Sequence, residues 1–338
     1  MKNIHGSGHA LSDIANDPFD FTFNEIAGAA GEHEAKSLYS LLYKSGALKK
    51  AHTIWIKETM GDADAKKYIF ELYDDKCIET VCIKRKTGTT ACVSSQAGCP
   101  VRCVFCESGR NGLARNLTAS EMVQQIVFLK EPINRIVFMG MGEPLYNYDA
   151  VIKALRILRD RNGLDFPTDG VTISTVGPIR FLKKLREEHM KIQLVLSLHA
   201  TDQKTRDRLM PGTSGYAINE TIEAALSYSK RHNRKLTIAY LVSPGINDRH
   251  IDIKQLIKWF KHEHVMINLL EYNQTSRRIF KKAGGKDIER FKDSLESCGL
   301  EVNIRARRAD KFKRTAVAQV VCFPGNSPAP FHTPLASR

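Results

Sequence analysis

Apolar residues along this chain recur in two rhythms, and the places where the rhythm changes divide it. From Phe23 to Ala51 they return at three-to-four spacing, with Ala35, Leu38, Leu41 and Leu42 on one face and Gly46 as a stop, which predicts helix. Three short β-rich runs follow, Tyr68–Tyr73, Ile78–Lys84 and Thr89–Ser94, separated by Asp-Asp and Thr-Gly turns. Farther on, helical stretches at 118–130, 148–160, 178–188, 216–232, 249–262 and 285–298 alternate with apolar, strand-like runs. Those runs are Arg135–Met139, Val171–Ser174, Ile192–Ser197, Leu236–Leu241, Val265–Leu270 and Val302–Ala306. Counting the strand that leads into Cys99, this makes six or seven βα units, so the predicted fold is α/β with a parallel sheet curled into a full or partial barrel. The units share no sequence, which excludes a repeat protein. Thr315–Cys322 reads as a closing strand. The expected organisation is a flexible N-terminal lead-in over 1–20, a small helical and β accessory domain over 21–88, the barrel over 89–322, and a disordered, Pro- and Ser-rich tail over 323–338.

Composition leaves this picture in place. A chain of 338 residues can hold one large α/β domain and a small accessory piece. With 42% hydrophobic and 26% charged residues, it is neither collagen-like nor of low complexity. Charge adds something: a formal net charge of +14 favours a polyanionic partner, with a merely basic surface as the plain alternative. Basic residues crowd the final third (Arg277, Arg278, Lys281, Lys282, Arg305, Arg307, Arg308, Lys311, Lys313, Arg314), which reads as a solvated face or as a phosphate-contacting surface. Met1–Ser12 has no apolar core, so no signal peptide is expected there, and no apolar run approaches the roughly 18–20 residues of a membrane span. The expectation is a cytoplasmic protein with no membrane partner. Its eight cysteines then read as metal ligands, nucleophiles or buried small hydrophobes rather than disulfides.

Three of them stand together. Gly98-Cys99-Pro-Val-Arg-Cys103-Val-Phe-Cys106 places three thiols within eight residues on a loop after a strand. A structural zinc site needs four ligands, usually two pairs from separate hairpins, and no second pair accompanies this triplet. Three thiolates on a 4Fe-4S cubane leave one iron open to a chelating substrate. Zinc, or three unrelated buried cysteines, are the competing readings. The C-x3-C-x2-C spacing, with an aromatic before the last cysteine, is the signature associated with radical S-adenosylmethionine enzymes.

The flanking strings carry a resemblance. Cys92-Val-Ser-Ser-Gln-Ala-Gly-Cys99, Gly112-Leu-Ala-Arg115-Asn116-Leu117 with Glu121, and Phe138-Met-Gly-Met-Gly-Glu143-Pro-Leu-Tyr-Asn147 resemble the RlmN/Cfr family of radical S-adenosylmethionine RNA methyltransferases. So do Ile173-Ser-Thr-Val-Gly177, Leu196-Ser-Leu-His-Ala200 and Ile267-Asn-Leu-Leu-Glu-Tyr-Asn273, and the likeness runs in register from roughly Glu34 to Arg305. It implies a partial (β/α)6 barrel of radical SAM type with a small N-terminal domain. It implies a 4Fe-4S cluster on Cys99, Cys103 and Cys106, S-adenosylmethionine as cofactor, and methylation of adenosine at C2 or C8 in ribosomal or transfer RNA. A monomer served by an electron donor such as flavodoxin goes with it. Glu79 matches the family's proposed general base. The residues agree about the site's place: Gly142 and Glu143, Ser174, Ser197, Leu198 and His199, and Asn273 each fall at the C-terminal end of a predicted strand, where barrel enzymes build active sites. Glu143 can accept from the methionine amine, Ser174 and Asn273 can bond ribose or adenine edges, and Gly140 and Gly142 can let backbone approach a ligand. His199 reads equally as a structural hydrogen bonder.

The likeness fails at one point. Family members carry a methyl-accepting cysteine in an Ala-Cys-Gly-Gln string near the C terminus. Here the matching position falls on Ala316 or, with one residue inserted, on Val317. Either Cys322 takes the role by a rerouted backbone, or the chain works without a methyl-cysteine. The alternatives to an RNA methyltransferase are a radical enzyme with another substrate or product and a degenerate iron–sulfur RNA-binding protein.

Overall fold

The computed structural model describes residues 7–44, 52–272 and 283–305. Three helices open it, α1 (Ser7–Asn16), α2 (Phe23–Ala30) and α3 (Glu32–Tyr43), followed by strands β1 (Ile54–Gly61), β2 (Ala65–Leu72), β3 (Cys77–Arg85) and β4 (Gly88–Cys92). A ribbon of β5 (Gln96–Gly98) and β6 (Leu113–Asn116) brackets the cysteine loop. Alternation then sets in with α4 (Ala119–Val127), β7 (Ile133–Phe138), α5 (Tyr148–Leu158), β8 (Val171–Thr175), α6 (Ile179–Arg186) and β9 (Gln193–Ser197). It continues with α7 (Gln203–Leu209), α8 (Ile218–His232), β10 (Leu236–Val242), α9 (His250–Phe260), β11 (Val265–Glu271), α10 (Gly285–Glu296) and β12 (Val302–Arg305).

Ten strands form one sheet in the order β1-β2-β3-β4-β7-β8-β9-β10-β11-β12. From β4 onward every neighbouring pair is parallel, while β1, β2 and β3 add to β4 as an antiparallel meander. The described strands do not close into a ring: β1 and β12 each pair on one side, so the barrel is partial. Every residue of β10 is buried, as in a parallel strand covered on both faces. The core is built from the apolar strand residues, Ile136, Ile173, Leu196, Ile238 and Ile267 among them.

Most expected helices and strands fall within a few residues of the observed ones; α1, β1, β6 and α7 have no counterpart among the expected elements. β1 was not foreseen because it is an edge strand on which Ile54 is the single buried residue, so no alternation can be read from it. α7 escaped because QKTRDRL has one leucine and hence no helical period. The expected lead-in over 1–20 is corrected from Ser7 onward. Ile14 and Phe19 are buried, and Asp17 and Asp20 accept from the Ser120 side chain and backbone at 2.6 and 3.0 Å, which fixes the segment to α4. The closing strand and the tail expected after residue 314 lie outside the described residues. Among the described residues no helix is long and apolar enough to cross a membrane.

Asp17 yields a stability prediction. Burial pushes its carboxyl up to about 6, against the Ser120 hydrogen bond and with help from Asp20 and Glu121. A carboxyl whose pKa rises on folding keeps its proton where the unfolded chain has lost it, so stability falls as pH climbs from about 4 to about 6. Asp17→Asn is therefore expected to stabilise the protein by about 1–2 kcal/mol at pH 7. Urea unfolding should show that gain vanishing near pH 4.

Parallel strands in adjacent order bring their C-terminal ends to one rim. The antiparallel pairing of β3 with β4 sets Val81 opposite Cys92, so Glu79, two residues nearer the start of β3, also reaches that rim.

Candidate active site

The cysteine loop is held at both ends and underneath. Cys99 follows β5 directly and donates its N–H to Gly112 O at 2.9 Å. Its floor is apolar: Cys99, Val101, Val176, Ala200, Leu209 and Met210 are buried together, and Cys103, Val104 and Phe105 pack against them. Val104 N donates to Leu209 O at 3.0 Å, and Gly212 N to Val101 O at 2.8 Å. The loop thus rests on the residues that follow β8 and β9 and on the end of α7.

Burial pushes the Cys99 thiol up to about 12 and holds Cys103 and Cys106 above the ordinary thiol range; their neighbours in the triplet raise Cys99 and Cys103 further. Three thiols that burial keeps neutral and that repel one another once ionised suit a cationic centre, because coordination removes the thiol proton outright. Among the described residues no three His, Cys, Asp or Glu side chains are set around a single metal ion. A four-iron cubane is bulkier than one ion and is gripped from its corners. The buried polar groups of this region that lack hydrogen-bond partners among the described residues include the Ser95 hydroxyl and the Nε and Nη1 groups of Arg206. Both leave room for polar contacts to a bound group.

The two strings that looked most specific in the sequence are each other's partners. Ser95 N and Gln96 N donate to Met141 O at 2.9 and 3.2 Å, and Gly140 N donates to Val93 O at 2.9 Å. Ser94 Oγ accepts from Met141 N at 2.9 Å, and Gln96 Oε1 accepts from Glu143 N at 2.8 Å. Asn147 clamps both flanks, donating to Ser95 O at 2.9 Å and Leu117 O at 2.7 Å. The glycines serve this contact. A Cβ on Gly140 would lie 2.6 Å from the Val93 carbonyl carbon; one on Gly142, whose φ is +103°, would lie 2.6 Å from Gln96 Cβ. In this structure they admit the close approach of the Val93–Gln96 segment.

Glu143 is buried, and its carboxylate accepts from Leu145 N at 3.1 Å, Thr175 Oγ1 at 2.5 Å and Val176 N at 2.9 Å. Protein donors thus take three of its roughly four lone-pair positions and leave one open to a further donor. Burial outweighs those donors and pushes its pKa up to about 7. Ser174 and Ser197, half-buried at the ends of β8 and β9, hold their hydroxyls 3.3 Å apart. Leu198 is buried and offers only backbone, its N–H donating to Ala239 O at 3.1 Å. His199 has φ +56°, accepts from Leu241 N on Nδ1 at 3.0 Å, and so carries its proton on Nε2. Burial pushes its imidazole down to about 3. Its neutral ring meets Phe105 of the cysteine loop edge-on, with centroids 5.0 Å apart, a structural use of the residue.

Glu79 is fully buried and ion-paired with Lys67 at 3.1 Å, and Lys67 is itself 1% exposed. Ser94 Oγ, which accepts from Met141 N, donates to Glu79 O at 2.6 Å, so one serine ties β3 to the loop after β7. The Cys92 thiol is buried nearby and pushed up to about 12, with Arg305 and Glu79 within electrostatic reach. The structure therefore brings together Glu79, Cys92, Gly142, Glu143, Ser174, Ser197, His199 and the cysteine loop. Asn273 and Cys322 lie outside the described residues, as does all of the basic cluster except Arg305, which is exposed at the end of β12. Sequence reading missed Lys67, Gln96, Thr175 and Arg206. Lys67 left a faint signal, a lysine in register with Ala65 and Ile69 within a β run.

Comparison with known proteins agrees with this geometry. The family model of the radical SAM superfamily matches residues 93–259. A protein of Rhodopseudomonas palustris named "Probable RNA methyltransferase" is 46% identical over 71% of this chain and 67% of its own length. A Dictyoglomus turgidum protein named "Probable dual-specificity RNA methyltransferase RlmN" is 38% identical over 75% of each chain. Among solved structures, a radical SAM methyltransferase from Sphaerobacter thermophilus superposes with a TM-score of 0.81 at 30% identity, over 86% of this chain and 95% of that one. With the cysteine loop, the partial barrel and these relatives in agreement, the chain belongs to the RlmN-type family of radical SAM RNA methyltransferases.

Proposed function

We propose that this protein transfers a methyl group from S-adenosylmethionine to an adenine base in structured RNA, at C2 rather than C8, with ribosomal or transfer RNA as substrate. The observation that carries the reading is the shared rim: the cysteine loop, the strand-end hydroxyls and the buried carboxylate of Glu79 occupy one end of one sheet. Cys99, Cys103 and Cys106 would hold a 4Fe-4S cluster. When bound, that cluster supplies the electron, delivered by a donor such as flavodoxin, that opens the sulfonium of S-adenosylmethionine to an adenosyl radical. The backbone at Gly142–Glu143 and Leu198–His199, with Ser174 and Ser197, lines the rim where a nucleoside would lie. Glu79 serves as general base, its carboxylate held by Lys67, taking the proton released from the modified adenine. A net charge of +14 suits a polyphosphate substrate.

The test is anaerobically reconstituted protein with S-adenosylmethionine, a reductant, and ribosomal or transfer RNA, followed by mass spectrometry of the nucleosides. 2-Methyladenosine is the expected product, whereas 8-methyladenosine would move the reaction to C8. If 5′-deoxyadenosine accumulates without any methyladenosine, methyl transfer is refuted and a radical enzyme with another product remains. That second reading is favoured by one observation, the alanine or valine at the position of the family's methyl-accepting cysteine. Cys322→Ala separates the routes, since unchanged turnover excludes Cys322 as the methyl carrier.

A further inference from the structure

Arg206 is the largest of the fully buried side chains, with 0% exposure, and it stands on α7, whose Leu209 packs with the following Met210 under the cysteine loop. A guanidinium has five N–H donors. Nη2 gives one to Val176 O at 2.6 Å, and Nε and Nη1 have no hydrogen-bond partner among the described residues. No described carboxylate lies within ion-pair distance of it. Burial pulls its pKa down to about 10, so it stays charged at neutral pH, and the groups that feel or oppose that charge include Asp207, Cys103, Tyr146 and Glu143. A buried, unpaired cation is among the costliest groups a protein can keep, and it persists where an anion completes it. A role confined to the Val176 carbonyl would need one donor and no charge.

We propose that Arg206 is the counter-charge of the iron–sulfur cluster, its free Nε and Nη1 groups facing the anionic cluster beside Cys103. A 4Fe-4S core with three thiolates is net negative, and more so after it accepts an electron. A fixed cation behind it favours the reduced state and so sets the potential at which the enzyme can be primed. This inference rests on the cluster reading, and iron analysis of the wild type tests that reading separately. About four irons per chain are expected; a wild type that binds none refutes the cluster itself.

The discriminating experiment compares Arg206→Met and Arg206→Lys with wild type after anaerobic reconstitution, by iron content and by an electron paramagnetic resonance titration of the cluster without S-adenosylmethionine. Arg206→Met is expected to carry iron with a more negative midpoint potential, and Arg206→Lys to recover much of the shift. Loss of iron from Arg206→Met, with iron and potential retained in Arg206→Lys, supports the same conclusion. Full iron and an unchanged potential in Arg206→Met overturn it; if S-adenosylmethionine then binds at least tenfold more weakly, the guanidinium serves the methionine carboxylate. Loss of iron from both variants, with equally lowered melting of the apoproteins, overturns it as well and leaves Arg206 a structural clamp on Val176.

Discussion

Cys103→Ala is expected to abolish both 5′-deoxyadenosine formation and RNA methylation while leaving the apoprotein folded. Cys103 is half-buried and packs on the edge of the loop's floor, so truncating it removes little buried apolar surface. Its loss leaves two thiols of the three proposed to hold the cluster, and iron content should fall in step with activity. Two measurements separate the effects: iron and sulfide per chain, and urea unfolding of the apoprotein within about 1 kcal/mol of wild type. A variant that still makes 5′-deoxyadenosine at the wild-type rate would remove Cys103 from the cluster site.

The second large effect is expected at the buried pair on β2 and β3. Lys67→Met leaves the Glu79 carboxylate buried without its cation, and breaking one side of such a pair costs about 3–5 kcal/mol. Glu79→Gln strands Lys67 in the same way. The informative protein is therefore the double variant, Lys67→Met with Glu79→Gln, which removes both charges and should regain much of the lost stability. If Glu79 is the base, the double variant still makes 5′-deoxyadenosine, but its yield of methyladenosine falls by roughly 100- to 10,000-fold. A double variant that methylates RNA at the wild-type rate would show that the pair is structural.

Strong local patterns in the sequence made much of the architecture readable. Six βα units are readable because the strands are rich in apolar residues and most of the helices between them have a buried face, most clearly β10 and α5. The cysteine loop was legible for another reason: its chemistry lies within eight consecutive residues. What stayed hidden was pairing across the fold. Nothing local shows that the Ser-Ser-Gln string answers the Met-Gly-Met-Gly-Glu string, since their bonds join residues more than forty positions apart. Arg206 was missed because its helix has one apolar residue, and its importance lies in donors left without partners, which no sequence displays. His199 was legible as a strand-end residue, but only the Leu241 N–H on Nδ1 fixes its tautomer.

The strand order carries a consequence for how the enzyme comes into being. Because the strands of the main sheet lie side by side in the order in which they are synthesised, each new strand finds its neighbour already in place, and assembly can proceed from the N terminus as the chain emerges. The cysteine loop breaks that order. Its thiols emerge by residue 106, yet the floor on which they rest, from Val176 through Ala200 to Leu209 and Met210, is completed only with residue 210. The loop therefore has its complete floor only after α7 has docked.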